Sequence, residues 1–231
     1  MKVRSVPTLL SPLLANIALH GLETIIKKTF PRMSHTNKET WFHKKGTDFK
    51  SPDVVRYADD FVVLHSDERV VHKCKEIIAN WLTKVGLELK PSKTKYSHTL
   101  YQVGNEKPGF NFLGFQIKQY KVGKYQSKQG YKTIIKPSQE KVQAHFKDLA
   151  KIIEAHKAVS QASLIAHLNP VIRGWASYYS TVVSAKTFSQ LDNLVYLKLL
   201  AWSRRRHHNK SRSWISGRYW HKHGDANWVF S

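Results

Sequence analysis

Residues 54–64 read Val54-Val55-Arg56-Tyr57-Ala58-Asp59-Asp60-Phe61-Val62-Val63-Leu64. Two short runs rich in β-branched and aromatic residues flank a small acidic pair, which predicts a β-hairpin with its acids at the turn. Adjacent carboxylates held by a tight turn repel each other, and a cation relieves that repulsion. Magnesium prefers hard oxygen ligands, commonly one or two carboxylates with phosphate oxygens and water, a set that suits metal-assisted phosphoryl or nucleotidyl transfer. Aspartate is also common in hairpin loops for conformational reasons alone, so out of context the pair reads first as plain turn residues.

Upstream, Ser11 followed by Pro12 reads as an N-cap and first helical position. Leu14, Ile17, Ala18, Leu22 and Ile25 then recur at helical spacing until Pro31. Residues 32–52 are polar and aperiodic, as in a loop or ragged hairpin arm. Downstream, Ser66 or Asp67 caps a helix carrying Val70, Cys74, Ile77, Ile78, Trp81 and Val85, which Gly86 ends. Leu87-Glu88-Leu89 alternates like a strand, and so do residues 110–117, where Gly114 permits a close backbone approach. A Lys/Gly/Gln/Tyr linker is expected at 118–133. Helices follow at about 138–156, at about 160–180 with Asn169-Pro170 restarting the helix, and at about 185–206 with Phe188, Leu191, Val195, Leu199 and Trp202 on one face. The pattern changes from α+β to all-α near residue 135, and two units, 1–134 and 135–231, are the simplest organisation.

The 231 residues are 41% hydrophobic and 23% charged, as in a globular chain, which excludes a disordered tail. The 38 Lys plus Arg against 16 Asp plus Glu leave +22, an excess that calls for an anionic partner. From Asn193 onward Lys198, Arg204, Arg205, Arg206, Lys210, Arg212, Arg218 and Lys222 alternate with Trp202, Trp214, Tyr219, Trp220 and Trp228. Cations that neutralise phosphates, together with rings that stack on unpaired bases, suit irregular or single-stranded RNA. A solvated basic face over core tryptophans is the competing reading. An anionic membrane surface fits less well, because the aromatic residues form no separate apolar face. No apolar run approaches the roughly 20 residues of a membrane span, and residues 1–20 lack a signal-peptide pattern, so a cytoplasmic or equivalent internal location is expected. The single Cys74 excludes an intramolecular disulfide and a cysteine-built zinc cluster. His207-His208 and His221-Lys222-His223, within a cationic tail, read as added charge or hydrogen bonds to RNA rather than metal ligands.

The stretch 55–63, with its Tyr57-Ala58-Asp59-Asp60 core, resembles the YxDD hairpin of reverse transcriptases in the form encoded by group II introns. Four more blocks agree in order: residues 11–17, 86–94, Phe112-Leu113-Gly114-Phe115, and 169–179 containing Arg173-Gly174-Trp175 and Tyr178-Tyr179. The last is similar to the maturase-specific thumb, domain X, and Trp202 with residues 204–207 continues it. The resemblance implies an α+β fold, a partial reverse transcriptase palm followed by an all-α thumb. It also implies magnesium-dependent extension of DNA on RNA. Asp59 would be a metal ligand, and Asp60 would help hold the metals and shape the site. Tyr57 and Ala58 would lie at the nucleotide. Lys93 would contact the incoming triphosphate or protonate pyrophosphate, although a plain surface lysine is as good a reading. Gly114 and its neighbours would place the primer end, with Phe112 and Phe115 also readable as core. Arg173, Arg204, Arg205, Arg206, Lys210 and Arg212 would bind RNA, and Trp175 reads as core. The implied partners are intron RNA and an RNA-template/DNA-primer duplex.

Where the family carries a Gln-Gly-Gly element ahead of the first block, this sequence has Val6, Pro7 and Thr8. The family's fingers and a third metal-binding aspartate also precede that block. The expectation is therefore a chain that binds RNA in a salt-sensitive way and polymerises only if a separate amino-terminal fragment supplies the rest. An RNA-binding maturase remnant without catalysis and a decayed reading frame are the competing readings.

Overall fold

Residues 16–18 are helical, but the single helix expected up to Pro31 is interrupted at residues 19–21. Gly21 there takes φ +92°, a left-handed conformation that glycine adopts without a Cβ penalty. The chain then re-enters a helix, α1 (Leu22–Thr29), which carries Leu22 and Ile26 into the core. The structure, a computed structural model, describes residues 16–35 and 38–231, so the expected helix start at Ser11-Pro12 and the Val6-Pro7-Thr8 stretch lie outside the described residues. Backbone contacts group the chain into two compact units that divide between Tyr96 and Ser97.

In the first unit, the described residues of 32–52 form a loop closed by isolated bridges between Met33 and Phe49 and between Thr40 and His43. The expected hairpin follows as β1 (Asp53–Tyr57) and β2 (Asp60–Leu64), paired antiparallel from Asp53↔Leu64 to Tyr57↔Asp60. Directly opposed residues share a face, so Val54, Val63 and Phe61 lie together and pack on the core. Helix α2 (Glu68–Lys84) starts at Asp67, whose carboxylate accepts the Arg69 N–H, and buries Val70, Cys74, Ile78 and Leu82. Gly86 and Leu87 close it with N–H bonds to the Thr83 and Leu82 carbonyls, a Schellman motif. The strand expected at Leu87-Glu88-Leu89 is absent: Leu87 is committed to the helix cap, and residues 87–90 carry no regular structure.

The second unit opens with a three-stranded antiparallel sheet, β3 (Phe110–Phe112), β4 (Phe115–Lys121) and β5 (Tyr131–Pro137). The linker expected at 118–133 is thus strand at both ends, 118–121 and 131–133, with a loop between them. Ile117 pairs with Ile135 and Lys118 with Ile134, and the polar side chains between them sit at partly open positions. The helices fall where periodicity predicts them: α3 (Gln139–Ala155), α4 (Gln161–Tyr179) and α5 (Ala185–Arg206). Asn169-Pro170 does not restart α4, which runs through Pro170. The lost N–H is offset by burial of Leu164 and Leu168 before it and Tyr179 after it. Past α5 the unit is not all helical. After α6 (Arg212–Tyr219) comes an antiparallel hairpin of β6 (Trp220–His223) and β7 (Ala226–Phe230). Its core joins Leu149, Ile153, Leu164, Leu168, Leu199, Trp202, Ile215 and Trp220.

Candidate functional site

The Tyr57↔Asp60 pairing leaves Ala58 and Asp59 as a two-residue hairpin loop. Ala58 sits at φ +52°, and of the two loop residues it alone has a positive φ. That is the φ pattern of a II′ rather than a I′ turn, and the first II′ position ordinarily takes glycine. A side chain there costs roughly 1–2 kcal/mol, strain of a kind that gathers at functional sites. The turn is braced by Arg56, whose Nη1 donates to the Ala58 carbonyl at 3.4 Å and to Asn16 Oδ1 at 3.1 Å. Sequence reading gave neither residue a role, because the Arg56–Asn16 contact joins positions 40 residues apart.

Asp59 stands at the exposed tip, and Asp60 is exposed on the face it shares with Val55 and Tyr57, the latter 65% exposed. Other aspartates nearby are neutralised: Asp53 pairs with Lys50 at 2.6 Å, and Asp67 with Arg69 at 2.7 Å. The hydrogen bonds from Arg69 hold the Asp67 carboxyl below its ordinary range. Among the described residues, nothing makes a side-chain hydrogen bond or ion pair with Asp59 or Asp60. Two adjacent, exposed carboxylates present hard oxygens with no competing cation among the described residues, and this donor set fits magnesium. No group of three or more His, Cys, Asp or Glu among the described residues is placed to hold a metal ion, so water or phosphate oxygens would have to complete its shell.

Lys93 is exposed in a turn closed by its own N–H on the Lys90 carbonyl at 3.0 Å, and Thr94 Oγ1 donates to the same oxygen. Among the described residues it makes no hydrogen bond or ion pair with either aspartate. A cleft of about 520 Å³ lies between Lys27, Arg32, Phe49 and Lys50 and does not reach the acidic turn. Asp59 and Asp60 themselves are exposed.

In the second unit, Leu113 and Gly114 form the two-residue loop between β3 and β4, at φ +50° and +81°. Tyr178 Oη donates to the Leu113 carbonyl at 3.0 Å, and Tyr179 Oη donates to the Gly114 carbonyl at 3.2 Å. The Ser138 N–H also donates to Gly114 O, at 2.8 Å. Phe115 stacks on Tyr178 with centroids 5.1 Å apart and meets Tyr179 edge-on. A Cβ on Gly114 would lie 2.7 Å from Tyr179 Oη and 3.3 Å from Lys141 Cγ, so the close approach expected of this glycine is made to the protein's own helices. Burial pushes the Tyr179 phenol up, which keeps its proton available to donate.

Arg173, Arg204, Arg205, Lys210 and Arg212 are exposed. Arg206 differs from them: its guanidinium lies 4.1 Å from the Trp202 ring centroid and donates to the Val159 carbonyl, so it clamps the helices internally. The aromatic residues divide as well. Trp202 and Trp220 are core, whereas Trp214 and Trp228 are 42% and 66% exposed, with Lys210 lying 5.4 Å from the Trp214 ring centroid. Trp175 is packed, stacked on His145 at 4.6 Å. His207 meets the Tyr219 hydroxyl at 2.8 Å, and His221 Nδ1 lies 3.0 Å from the Ser231 carbonyl. Among the described residues no helix is long and apolar enough to cross a membrane.

Two family models match the chain. The reverse transcriptase (RNA-dependent DNA polymerase) model covers residues 8–117, and the group II intron maturase-specific domain model covers residues 142–220. Among curated proteins none matches.

Proposed function

Because this chain belongs to the group II intron reverse transcriptase/maturase family, we propose that residues 1–134 carry its nucleotidyl-transfer chemistry and residues 135–231 its grip on RNA. Asp59 and Asp60 would hold magnesium. When bound, the metal neutralises phosphate charge and polarises the phosphorus under attack. Tyr57 and Ala58 line the open face where a nucleotide would rest, and Lys93 meets its triphosphate. Gly114 carries the turn that places the primer end. Arg173, Arg204, Arg205, Lys210 and Arg212 bind phosphates of intron RNA or of an RNA-template/DNA-primer duplex. The same reading places the protein with intron RNA, in a cytoplasm or an organellar matrix. One observation carries the proposal: two adjacent exposed carboxylates without a counter-ion among the described residues, on a strained turn, in a chain of net charge +22.

The test is manganese binding followed by electron paramagnetic resonance, with poly(rA)/oligo(dT) and dTTP present. Asp59→Asn/Asp60→Asn should weaken it at least about tenfold, as expected when two charged ligands are lost; unchanged binding refutes the assignment. Primer extension, run on the chain alone and after adding an amino-terminal reverse transcriptase fragment, tests whether a further carboxylate must come from a partner. Filter binding tests the grip. Five phosphate contacts imply an affinity loss of roughly 100- to 500-fold between 50 and 200 mM salt, and equal affinity at both salts overturns this part.

A further inference from the structure

We propose that Tyr178 and Tyr179 are positioning residues that latch the Leu113–Gly114 turn onto the end of α4, so that the turn's placement of a primer end depends on the maturase-specific helix. The inference rests on the reading of that turn as primer-placing.

The tyrosine pair lies in the maturase-specific segment and the turn in the reverse transcriptase segment, 65 residues apart in sequence. Both belong to the second compact unit. A two-residue loop between short strands is marginal by itself, since β3 has three residues and pairs with β4 alone. Here both loop carbonyls are satisfied by hydroxyls from one helix end. The Gly114 oxygen takes a second bond from the Ser138 N–H, between β5 and α3. The rings do separate work: Phe115 packs against both, and Tyr179 continues through Trp175 at 4.5 Å to His145 on α3 and Phe188 on α5. The turn is thereby tied to three helices through one side chain that is 3% exposed. Glycine at 114 is what lets that hydroxyl approach, and the exposed Lys141 brings a positive charge beside the same turn. A shift of the α4 end therefore moves the turn with it.

Replacing both hydroxyls tests the latch while keeping the rings. In Tyr178→Phe/Tyr179→Phe, each lost bond lowers the docked-to-undocked ratio of the turn by about 2- to 12-fold. Hydrogen exchange of the 112–116 amides should therefore speed up by about 4- to 140-fold, with α2 amides unchanged. On adding poly(rA)/oligo(dT), the duplex should protect these amides in the wild-type chain. In the variant that protection should shrink while the overall duplex affinity stays within about twofold, a split that a general loss of fold does not produce. Unchanged exchange at 112–116 in the variant overturns the latch. A wild-type turn left unprotected by the duplex overturns the primer-placing reading instead, and with it the dependence proposed here, whatever the variant does. Should the double variant lose its fold, Tyr178→Phe removes one hydroxyl from a half-exposed ring and gives the same readout at one bond's magnitude.

Discussion

Gly114→Ala and Tyr179→Phe should compensate each other. In Gly114→Ala the new Cβ meets Tyr179 Oη at 2.7 Å, closer than such atoms pack, at a backbone φ of +81°. The left-handed backbone costs roughly 1–2 kcal/mol for alanine. The contact adds an overpacking term of about 1–3 kcal/mol, because Tyr179 is buried against Trp175 and Phe115 and has little room to yield. The single variant should therefore lose about 2–5 kcal/mol. Tyr179→Phe alone should lose about 0.5–1.5 kcal/mol, one net hydrogen bond, since Gly114 O keeps its bond from Ser138. With the hydroxyl gone, alanine at 114 faces only the backbone term and the flexible Lys141 stem. The double variant should accordingly be more stable than the sum of the singles by about 1–3 kcal/mol. Urea unfolding followed by tryptophan fluorescence reads mainly the second unit, since five of the seven tryptophans, Trp175, Trp202, Trp214, Trp220 and Trp228, lie there and only Trp41 and Trp81 lie in the first. Strict additivity would refute the reasoning.

Three further outcomes follow from the packing. Ala58→Gly should stabilise the first unit by about 0.5–1 kcal/mol in urea unfolding, because relief at φ +52° exceeds glycine's entropy cost, and a destabilised variant would show that the turn is not strained. Burial of His145 against Trp175 pushes its pKa below the usual 6.5, so its folded form resists protonation. The unfolded chain takes up the proton as pH falls through about 6.5. Stability should then decline from there toward the lowered folded value, and His145→Phe should flatten that decline in pH-dependent unfolding. Burial pushes the Cys74 thiol up to about 11 from 9.0. It should react with a thiol reagent only as fast as the first unit unfolds, and between about pH 9 and 11 ionisation should favour the unfolded chain; rapid labelling of the native protein at pH 8 would contradict its burial.

What the sequence disclosed was local and periodic. The hairpin at 54–64 was legible because a period-2 pattern brackets a two-residue turn, and α3, α4 and α5 because their apolar faces recur over many turns. Long-range pairing was not legible. Leu87-Glu88-Leu89 alternates like a strand yet finds no neighbour, whereas the lysine-rich 118–133 reads as a linker and is strand at both ends because Lys118–Lys121 pair with Tyr131–Ile134. Composition likewise does not sort Arg204 and Arg205, which face water, from Arg206, which turns in to Trp202. In the candidate site the aspartates were legible from their spacing. The bracing Arg56–Asn16 contact and the Tyr178–Tyr179 latch span 40 and 65 residues, beyond any local pattern.

The charge arrangement around the acidic turn leads to the same chemistry by another route. With 38 basic residues against 16 acidic, a counter-ion for two exposed carboxylates would be easy to supply, and Asp53 and Asp67 each have one within three residues. The one cation inside the hairpin is Arg56, and the register puts it on the face opposite Asp60, where its guanidinium braces the Ala58 carbonyl and Asn16 instead. A positive side chain beside the aspartates would compete with a divalent ion for the same oxygens. On the proposed reading, carboxylates left without such a partner among the described residues would stay open to magnesium once nucleic-acid phosphates gather. Phosphates brought to Asp59 and Asp60 would otherwise be repelled by them. A divalent cation between the two sets of oxygens turns that repulsion into binding, so metal and nucleic acid should each raise the other's affinity for this chain.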